Sequence, residues 1–599
     1  MQENRLNRAS VALSIALALF CGTIASAQTG FGLGGNQADD GRAIAVDSNG
    51  NVYLTGTFRQ TVDFDPGPGV FELDAGSTNA SYVASYTEAG ALRYAFMLTT
   101  SATLLHRGIA VDSNGNICLS GGMSGTTDFD PGPGEEIRSP VDGRIFVAGY
   151  DANGDYRFAV NMGVTSVTAE LANAVTMDNL GQCHVAGQFV GETDFDPTAG
   201  EFILESNGNS DIFVAKYSAA GGFLDAFGVG GQFGDRALGI AVDAAGNRYV
   251  TGEISSEVDM DPGPLVQNIP HAGADDIFLA SYDASNNLRY ALSIGDTGGD
   301  LGESVDVDAA GNAFITGRFD DEPDFDPGPG TLLLDAGSNS DLFLASYDSS
   351  GDLRFAFNLG NGNPVRGDGI AVDATGGPHV TGRFGGTLDF DPSAGDASIT
   401  VFGTSALVAS YDNNGNYRNA YVYTRSSGSG TVEGNGIALD AQGNARVIGT
   451  FNSTVDLDPG PGVVTATTNG SNDSFYSSFR VAPAFPGPGH VAAPSLTLDK
   501  APTPGNLILS WNPSCSASMP DYGVFEGVLG SFSSHSPLTC VDNGLDNTEE
   551  VISGAGDRYY LVVPLTVGAE GSYGLDGSGA ERPIGSGTCR AARDTTRCP

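Results

Sequence analysis

The sequence predicts an all-β chain in which one four-stranded unit is repeated seven times. The stretch Gly-Ile-Ala-Val-Asp, followed by a glycine turn and a second apolar run, occurs at Gly108, Gly239 and Gly369, and variants of it occur at four other places. Glycines recur at fixed places in these copies, and no helical periodicity stands out after the N-terminus. The aspartates at the end of this five-residue stretch lie 65 to 67 residues apart in successive copies. They are Asp47, Asp112, Asp178, Asp243, Asp308, Asp373 and Asp440. Seven repeats of four short strands predict a seven-bladed β-propeller, and the chain after it is expected to form a small β-sandwich.

Residues 1–27 have the pattern of a secretory signal peptide. Arginines at the start precede an apolar stretch at 11–20, and small residues at 25–27 form a cleavage pattern. The apolar stretch is shorter than the ~20 residues of a membrane-spanning helix, and no later stretch approaches that length. We therefore expect an exported protein, secreted or at the cell surface, without membrane insertion.

The net charge of −45 argues against polyanionic partners. With 72 acidic and 27 basic residues, the chain would be repelled by phosphate backbones and by anionic lipid. Nucleic acid is therefore not expected as a partner. We expect a monomer that binds an extracellular protein or a glycan.

The copy around residue 330 shows the predicted unit most clearly. Its strands are expected at Ser304–Asp308, Ala313–Phe319, Asp341–Asp348 and Asp352–Leu359. The turn at 309–312, Ala-Ala-Gly-Asn, suits a hairpin because Gly and Asn tolerate positive φ.

The two ends of the repeat region predict how the ring closes. The last copy has strands at Gly436–Asp440, Asn444–Phe451 and Ser474–Arg480, but no fourth strand follows. The segment Phe31–Gly35 resembles the fourth strand of the other copies. We expect this N-terminal strand to complete the last blade, which would remove an exposed sheet edge.

The repeat resembles a known family. Its pattern GIAVD, GN-x-YVTG-x-F, DFDPG, DIF-x-ASYD and G-x-LRY looks like the bacterial seven-bladed β-propeller (SBBP) repeat, a relative of NHL-type blades. The resemblance implies a propeller that is usually exported, and it implies little about activity. The predicted divisions are a signal peptide at 1–27, a propeller at 28–482, a Pro/Gly linker at 483–492, a fibronectin type III-like sandwich at 493–585 and a Cys-containing tail at 586–599.

A motif Asp-x-Asp recurs in the insertion between the second and third strands of every copy. In an extended strand the two carboxylates point to one face, while the middle residue points the other way and can anchor the loop. The fourteen aspartates are Asp63, Asp65, Asp128, Asp130, Asp194, Asp196, Asp259, Asp261, Asp324, Asp326, Asp389, Asp391, Asp456 and Asp458.

Two interpretations of Asp-x-Asp remain open. Paired carboxylates with nearby carbonyls suit a hard cation such as Ca²⁺, so these residues are the candidate metal ligands. Alternatively, each aspartate accepts hydrogen bonds from backbone N–H groups in a turn. No copy has a complete DxDxDG loop. Either way, these loops are expected to make one end of the propeller strongly acidic.

Two other polar positions recur and are interpreted structurally. The aspartate of Asp-x-x-Gly-Asn, with Asp47 as an example, is expected to form a turn, because the position two residues later drifts as far as Leu180. Arginines on the fourth strand are expected to blunt an outer edge and to pair with nearby acids. They are Arg93, Arg157, Arg289, Arg354 and Arg418.

No catalytic set is apparent in the sequence. Histidine is scarce, and no HExxH motif, nucleophile elbow, phosphate-binding loop or zinc cysteine pattern occurs. Apart from Ca²⁺, no cofactor is expected. Paired carboxylates are abundant, but nothing in the sequence singles out one asymmetric pair.

The cysteines divide into two groups. Cys515, Cys540, Cys589 and Cys598 lie at the C-terminal end and are expected to form disulfides in an exported chain, where 515–540 and 589–598 are the favoured pairs by proximity. The C-terminal segments APTPGNLILSW and DRYYLVVPL carry the fibronectin type III-like resemblance. Cys118 and Cys183 lie in adjacent copies but one residue out of phase, so they are expected to face differently and to stay as free, buried thiols.

Three functions are consistent with this pattern. The first is a non-catalytic, exported scaffold for binding or adhesion. In one form of this hypothesis, calcium binds at the Asp-x-Asp loops. The second is an extracellular enzyme acting on polysaccharide, which residues unique to single blades and converging at the propeller mouth would favour. The third is a structural component of a surface layer.

Overall fold

The structure is a computed structural model. It describes residues 29–140, 144–163, 170–196, 200–393, 395–425, 430–460 and 463–481, together with the C-terminal strands given below. The described residues form β-strands and turns, with no α-helix among them. No described segment is a helix long and apolar enough to cross a membrane. The predicted signal peptide at 1–27 and the linker at 483–492 lie outside the described residues.

Seven four-stranded antiparallel sheets make up the part of the chain before residue 482. In each sheet the strands run in chain order from an inner to an outer strand, except that Thr29–Leu33, from the N-terminus, is the outer strand of the seventh sheet. The strands of the seven sheets, inner to outer, are Asp40–Val46, Val52–Phe58, Ala80–Tyr86 and Leu92–Met97; Leu104–Val111, Ile117–Met123, Ile145–Tyr150 and Tyr156–Met162; Leu171–Met177, Cys183–Asp194, Ile203–Tyr217 and Phe223–Val229; Arg236–Val242, Arg248–Ile254, Asp276–Tyr282 and Leu288–Ile294; Leu301–Val307, Ala313–Phe319, Asp341–Tyr347 and Leu353–Leu359; Arg366–Val372, Pro378–Asp389, Ser398–Tyr411 and Tyr417–Val422; Val432–Leu439, Asn444–Phe451, Asp473–Arg480 and Thr29–Leu33.

The seven sheets are arranged as the blades of a β-propeller. Each inner strand contacts the inner strands of the sheets before and after it, and the inner strand of the first sheet contacts that of the seventh. Between the seventh and first sheets, the Asn435 side-chain amide donates to the Gly41 carbonyl at 2.6 Å. The hydroxyls of Tyr82 and Ser474 lie 3.2 Å apart at the same interface.

The hydrophobic core is divided among the interfaces between neighbouring sheets. Seven clusters of buried side chains each combine residues from two adjacent sheets. In one of them, Leu54 and Tyr82 of the first sheet pack with Ile448 and Tyr476 of the seventh. Because each sheet packs on both faces, second and third strands such as Val52–Phe58 are buried along their whole length.

Every inner strand contains a β-bulge at the same place. In the fifth sheet, Gly302 pairs with Gly317 and Ser304 pairs with Thr316, so Glu303 has no partner across the ladder. A Cβ atom on Gly317 would lie 1.9 Å from the Leu301 carbonyl oxygen, so only glycine fits opposite this bulge. The same clash, at 1.9 to 2.0 Å, defines the equivalent glycines of the other sheets: Gly56, Gly121, Gly187, Gly252, Gly382 and Gly449.

The insertions between second and third strands form short hairpins or lengthen the blade. Ser398–Tyr411 and Pro378–Asp389 continue as one long pair in the sixth sheet, as do the corresponding strands of the third. The short strands elsewhere are Thr61–Asp63 with Glu72–Asp74, Thr127–Asp128 with Ile137–Arg138 and Thr99–Thr100, Val258–Asp259 with Asn268–Ile269, and Thr454–Asp456 with Thr465–Thr467.

The C-terminal part contains two further sheets. The described strands include Asn506–Ser510 and Arg558–Leu565, which lie in the two segments with the fibronectin type III-like resemblance. Cys515, Cys540, Cys589 and Cys598 lie outside the described residues, so their predicted pairing stays a prediction. One sheet contains Thr497–Lys500, Asn506–Ser510 and Thr548–Ile552; the other contains Ser536–Thr539, Asp521–Val528, Arg558–Leu565, Ala569–Glu570 and Ala592–Arg593.

Candidate ligand-binding site at the propeller axis

The first aspartate of every Asp-x-Asp motif accepts two backbone hydrogen bonds. In the first copy, one carboxylate oxygen (Oδ1) of Asp63 accepts from the N–H groups of Asp65 and Phe71, at 3.0 and 2.8 Å. All seven copies repeat this pair of bonds, to the residues two and eight positions later, at Asp63, Asp128, Asp194, Asp259, Asp324, Asp389 and Asp456. The first carboxylate therefore closes the loop by joining its two arms.

The rest of the motif is equally engaged in the loop. Asp65 Oδ1 accepts from the Gly67 N–H at 2.8 Å, and Phe64 is fully buried, as expected for a loop anchor. The Tyr86 hydroxyl donates to the Phe64 carbonyl at 2.9 Å. Among the described residues, no group of three or more His, Cys, Asp or Glu side chains is placed to hold a metal ion. The geometry favours the turn interpretation of these fourteen aspartates over the metal interpretation.

The aspartate of Asp-x-x-Gly-Asn forms a turn, as predicted. Asp47 Oδ1 accepts from the N–H groups of Asn49 and Asn51, both at 2.9 Å, and Gly50 between them has a φ of 77°. The Asn51 side-chain amide and the Tyr53 hydroxyl donate to the other carboxylate oxygen. Because its two carboxylate oxygens accept four hydrogen bonds from within the same blade, this residue has a structural role.

The predicted pairing of the fourth-strand arginines with acidic side chains is found at one of them and not at others. Arg93 donates to the Tyr53 and Ser85 hydroxyls and, at 2.9 Å, to the Ala152 carbonyl of the next blade. Its guanidinium also lies over the Tyr53 ring. The expected pairing with acids is therefore wrong for Arg93, and it is found at Arg418, which contacts Asp373 at 2.5 Å. Arg289 and Arg354 likewise donate to backbone carbonyls of the next blade, so they fasten neighbouring blades together.

The prediction that Cys118 and Cys183 stay as free thiols is also wrong. They form a disulfide across the interface between the second and third sheets, with their Cα atoms 6.3 Å apart. The reason is geometric, because successive residues of a strand point to opposite faces of the sheet. The back of one blade packs on the front of the next, so two cysteines that face each other must lie one residue out of phase.

A ring of seven side chains of five kinds surrounds the propeller axis. They are the unpaired bulge residues, one from each inner strand, and are called here the mouth ring. In blade order the mouth ring is Arg42, Arg107, Asn173, Leu238, Glu303, Asp368 and Asn435. All seven line one cavity of about 400 Å³ at the axis. The blades differ from one another at this position, as they also do two residues earlier in the inner strand, where Asp40, Arg236 and Arg366 are equivalent.

Aliphatic residues line the part of the axial space next to this cavity. A smaller space of about 260 Å³ continues along the axis and is lined by the mouth ring and by the residues two positions later in each strand. These are Ile44, Ile109, Val175, Ile240, Val305, Ile370 and Ile437. All but Val175 are less than 10% exposed, so the mouth is a polar cavity above an apolar floor.

The two asparagines of the mouth ring bind the neighbouring blade. Asn173 donates to the Ala237 carbonyl at 2.8 Å, and Asn435 donates to the Gly41 carbonyl. Their amide N–H groups are thus used to join inner strands. The charged members of the mouth ring are the groups best placed to meet a ligand.

Opposite charges occupy opposite sides of the mouth. Arg42 and Arg107 are adjacent, and Glu303 and Asp368 face them from the fifth and sixth blades. Arg366 contacts both carboxylates at 2.5 Å. Arg42 has a looser contact with Asp40, at 3.4 Å. Arg107 makes no ion pair with any described residue, which leaves one guanidinium available on that side.

Burial and mutual repulsion shift the pKa values of these groups. Burial raises the pKa values of the Glu303 and Asp368 carboxyls, against the attraction of Arg366. Burial lowers the pKa of Arg107, and repulsion from Arg42 lowers it further, while the Glu303 carboxylate acts in the other direction. Arg107 and Glu303 line the same cavity.

The mouth ring was not predicted from the sequence. In the sequence, each member of the mouth ring is the variable residue directly before a Gly-Ile-Ala-Val-Asp stretch, such as Arg107 before Gly108. The interpretation of the inner strand as starting at that glycine placed this residue outside the strand. In the structure the strand begins three to four residues earlier and passes through the bulge.

One family model and two known proteins match parts of the chain. Residues 27–57 match the SBBP beta-propeller repeat model. The regulatory protein FlaEY of Caulobacter vibrioides is 27% identical over 224 residues, 35% of this chain and 23% of that protein. An uncharacterised WD repeat-containing protein of Acanthamoeba polyphaga mimivirus is 22% identical over 504 residues, 70% of this chain and 36% of that protein. The chain thus spans about a quarter and about a third of the lengths of these two relatives.

Solved structures with low similarity were also found. One is the extracellular domain of a hybrid two-component system from B. thetaiotaomicron, with 10% identity, coverage of 92% of this chain and 98% of that one, and a TM-score of 0.19. Another is PorZ, a bacterial surface component of the type-IX secretion system of Porphyromonas gingivalis, with 10% identity, coverage of 90% and 98%, and a TM-score of 0.19. The sheet arrangement is that of a β-propeller, and the stretch at residues 27–57 is similar to the SBBP beta-propeller repeat.

Proposed function

We propose that this protein is an exported, non-catalytic scaffold that binds an extracellular ligand in the cavity at the propeller axis. The observation that carries the proposal is the mouth ring. Repeats kept alike for folding do not need five kinds of side chain at one equivalent position, whereas a binding site does need such differences. Ligand sites in proteins are typically concave places where a few polar groups converge.

Export is supported by the covalent chemistry of the chain. The Cys118–Cys183 disulfide belongs to an oxidising compartment, since thiols in the cytosol are kept reduced. This agrees with the signal-peptide pattern expected at residues 1–27 and with a place outside the cell or on its surface. Adhesion is then one role in which such a scaffold would present its cavity to a partner.

The experiment is a binding screen with matched variants. The purified full chain is applied to arrays of bacterial cell-surface glycans and peptides, beside Arg107→Gln and the control Arg480→Gln. Arg480 is an exposed arginine at the end of Asp473–Arg480, away from the mouth ring. We expect signals that Arg107→Gln loses and Arg480→Gln keeps. Signals that persist in Arg107→Gln would place the ligand elsewhere and contradict the proposal.

An enzyme at the same cavity is a second candidate. It is favoured by Glu303 and Asp368, two adjacent carboxyls with raised pKa values, since a buried carboxylic acid can serve as a general acid. The ion pairs of both with Arg366 argue against it, because Arg366 favours the ionised form of each carboxyl and so opposes the effect of burial. Release of reducing ends from polysaccharide by the protein, lost in Glu303→Gln, would establish the enzyme in place of the scaffold.

A further inference from the structure

The charges around the axial cavity extend beyond the mouth ring. The residues at the start of each inner strand and their partners on the second strand form a further layer, with Arg366 opposite Arg383 and Arg236 opposite Glu253. The two layers hold six arginines and five carboxylates: Arg42, Arg107, Arg236, Arg318, Arg366 and Arg383, with Asp40, Glu253, Glu303, Asp368 and Glu433. In a chain of net charge −45, this end is an exceptional concentration of arginine.

Most of these charges are already paired. Arg236 contacts Glu253 and Arg383 contacts Glu433, each at 2.5 Å. Arg366 is shared between Glu303 and Asp368. Arg318, in the further layer, does not line the cavity, so among the lining residues these two carboxylates share one guanidinium and leave an excess of negative charge on that side.

Unpaired groups of opposite sign remain on the two sides. Arg107 has no acidic partner among the described residues, and Arg42 beside it has only its 3.4 Å contact with Asp40. Across the cavity, Asp368 uses one carboxylate oxygen for Arg366, while its buried Oδ2 has no hydrogen-bond partner among the described residues. The cavity therefore has a cationic side and an anionic side that face each other.

From this arrangement we infer that the ligand is a zwitterion, whose carboxylate binds Arg107 and Arg42 and whose ammonium group binds Glu303 and Asp368. The inference rests on the proposed function and specifies the ligand class of the same cavity. A guanidinium pair suits a carboxylate, and a carboxylate pair suits an ammonium group. Free amino acids and short peptides with unblocked ends have this chemistry.

Two further features favour a zwitterion over other ligands. The surrounding protein is strongly acidic, so an anion would be repelled on approach, whereas a zwitterion has no net charge. The described lining of the cavity contains no aromatic side chain, so a sugar ring would find no flat surface on which to stack. A volume of about 400 Å³ suits a molecule of a few residues.

The test uses glycine peptides of two to four residues, because they carry the two end charges and no side chain. Binding to the purified full chain is measured by calorimetry for the free peptides, their N-acetyl forms and their C-terminal amides. We expect the free peptide of best-fitting length to bind, and each cap to weaken binding by about tenfold or more, as for loss of a charge-assisted hydrogen bond. Absence of binding by every free peptide at millimolar concentration, or equal binding of a capped form, would overturn the inference.

Variants assign the two ends. Arg107→Gln should abolish the preference for a free carboxylate and keep the preference for a free ammonium group, and Glu303→Gln should do the reverse. Arg480→Gln and Glu72→Gln, exposed residues away from the cavity, should bind like the wild type. If no glycine peptide binds but the array signals still depend on Arg107, the zwitterion fails while the axial binding site stands. If neither depends on Arg107, the proposed function fails as well.

Discussion

The sulfur atoms of Cys118 and Cys183 join the second and third blades through a disulfide that closes a 65-residue loop. A cross-link stabilises mainly by restricting the unfolded chain, and a loop of this length gives a stabilisation of about 4 kcal/mol in the chain-entropy model. We expect the double variant Cys118→Ala/Cys183→Ala to lose about 2–5 kcal/mol of unfolding free energy in urea titrations. A reductant should lower the unfolding free energy of the wild type by more than that of the double variant, in which the C-terminal cysteines remain. Equal stability of wild type and variant under oxidising conditions would show that the bond does not form.

Buried aspartates should make the folded state less stable at higher pH. Burial raises the pKa of Asp211 to about 7, and the negative charge of Asp235 raises it further, while one hydrogen bond from the Asn207 N–H acts in the other direction. The second carboxylate oxygen of Asp211 is buried without a partner among the described residues. The folded form therefore binds more protons than the unfolded form between pH 4 and pH 7, and its stability falls as the pH rises through this window.

The variant Asp211→Asn isolates this effect, because asparagine does not ionise. We expect it to be about as stable as the wild type at pH 5 and more stable at pH 8, measured by urea titration at each pH. The control Asp283→Asn changes an exposed turn residue whose pKa is lowered by the Asn287 side chain and by two backbone N–H groups. Its stability difference from the wild type should be constant between pH 5 and pH 8. The prediction is wrong if the difference for Asp211→Asn does not change with pH.

The glycine opposite each bulge should be irreplaceable. A Cβ atom on Gly317 would lie 1.9 Å from a backbone oxygen, that of Leu301, which cannot rotate away. We expect Gly317→Ala to cost about 1–3 kcal/mol of unfolding free energy, as for overpacking of a core. Gly299→Ala is the matched control, because its nearest atom beyond its chain neighbours would be 3.9 Å away, at Asp320. Similar stability of the two variants would contradict the assignment of the bulge.

The sequence predicts the features that all seven repeats share. Strands such as Ala313–Phe319 lie at the predicted residues, and Thr29–Leu33 pairs with the last copy, because seven similar copies each reveal the same alternation and turns. The mouth ring could not be predicted in this way. A bulge shifts the register by a single residue, and the residue it turns toward the axis, Glu303 in one copy and Leu238 in another, obeys no repeated pattern. The repeated glycine at Gly317 and its equivalents was the available sign that the inner strand continues past its apparent start.

Calcium should leave the stability of the propeller unchanged. The Asp-x-Asp carboxylates already accept N–H groups from their own loops, with Asp324 Oδ1 accepting from Asp326 and Leu332 at 3.0 and 2.8 Å. A bound ion would have to displace these bonds, and no third acidic ligand is near them in the described chain. We expect the melting temperature of the full chain to agree within about 1 °C in excess EDTA and in millimolar Ca²⁺, whereas a ligand at a hundredfold excess over its Kd would stabilise the protein by about 2.7 kcal/mol. Asp324→Asn should lower the melting temperature equally in both conditions, since the lost hydrogen bonds do not involve the ion. A rise with Ca²⁺ that Asp324→Asn reduces would instead make these loops metal sites and would restore the calcium-dependent form of the adhesion hypothesis.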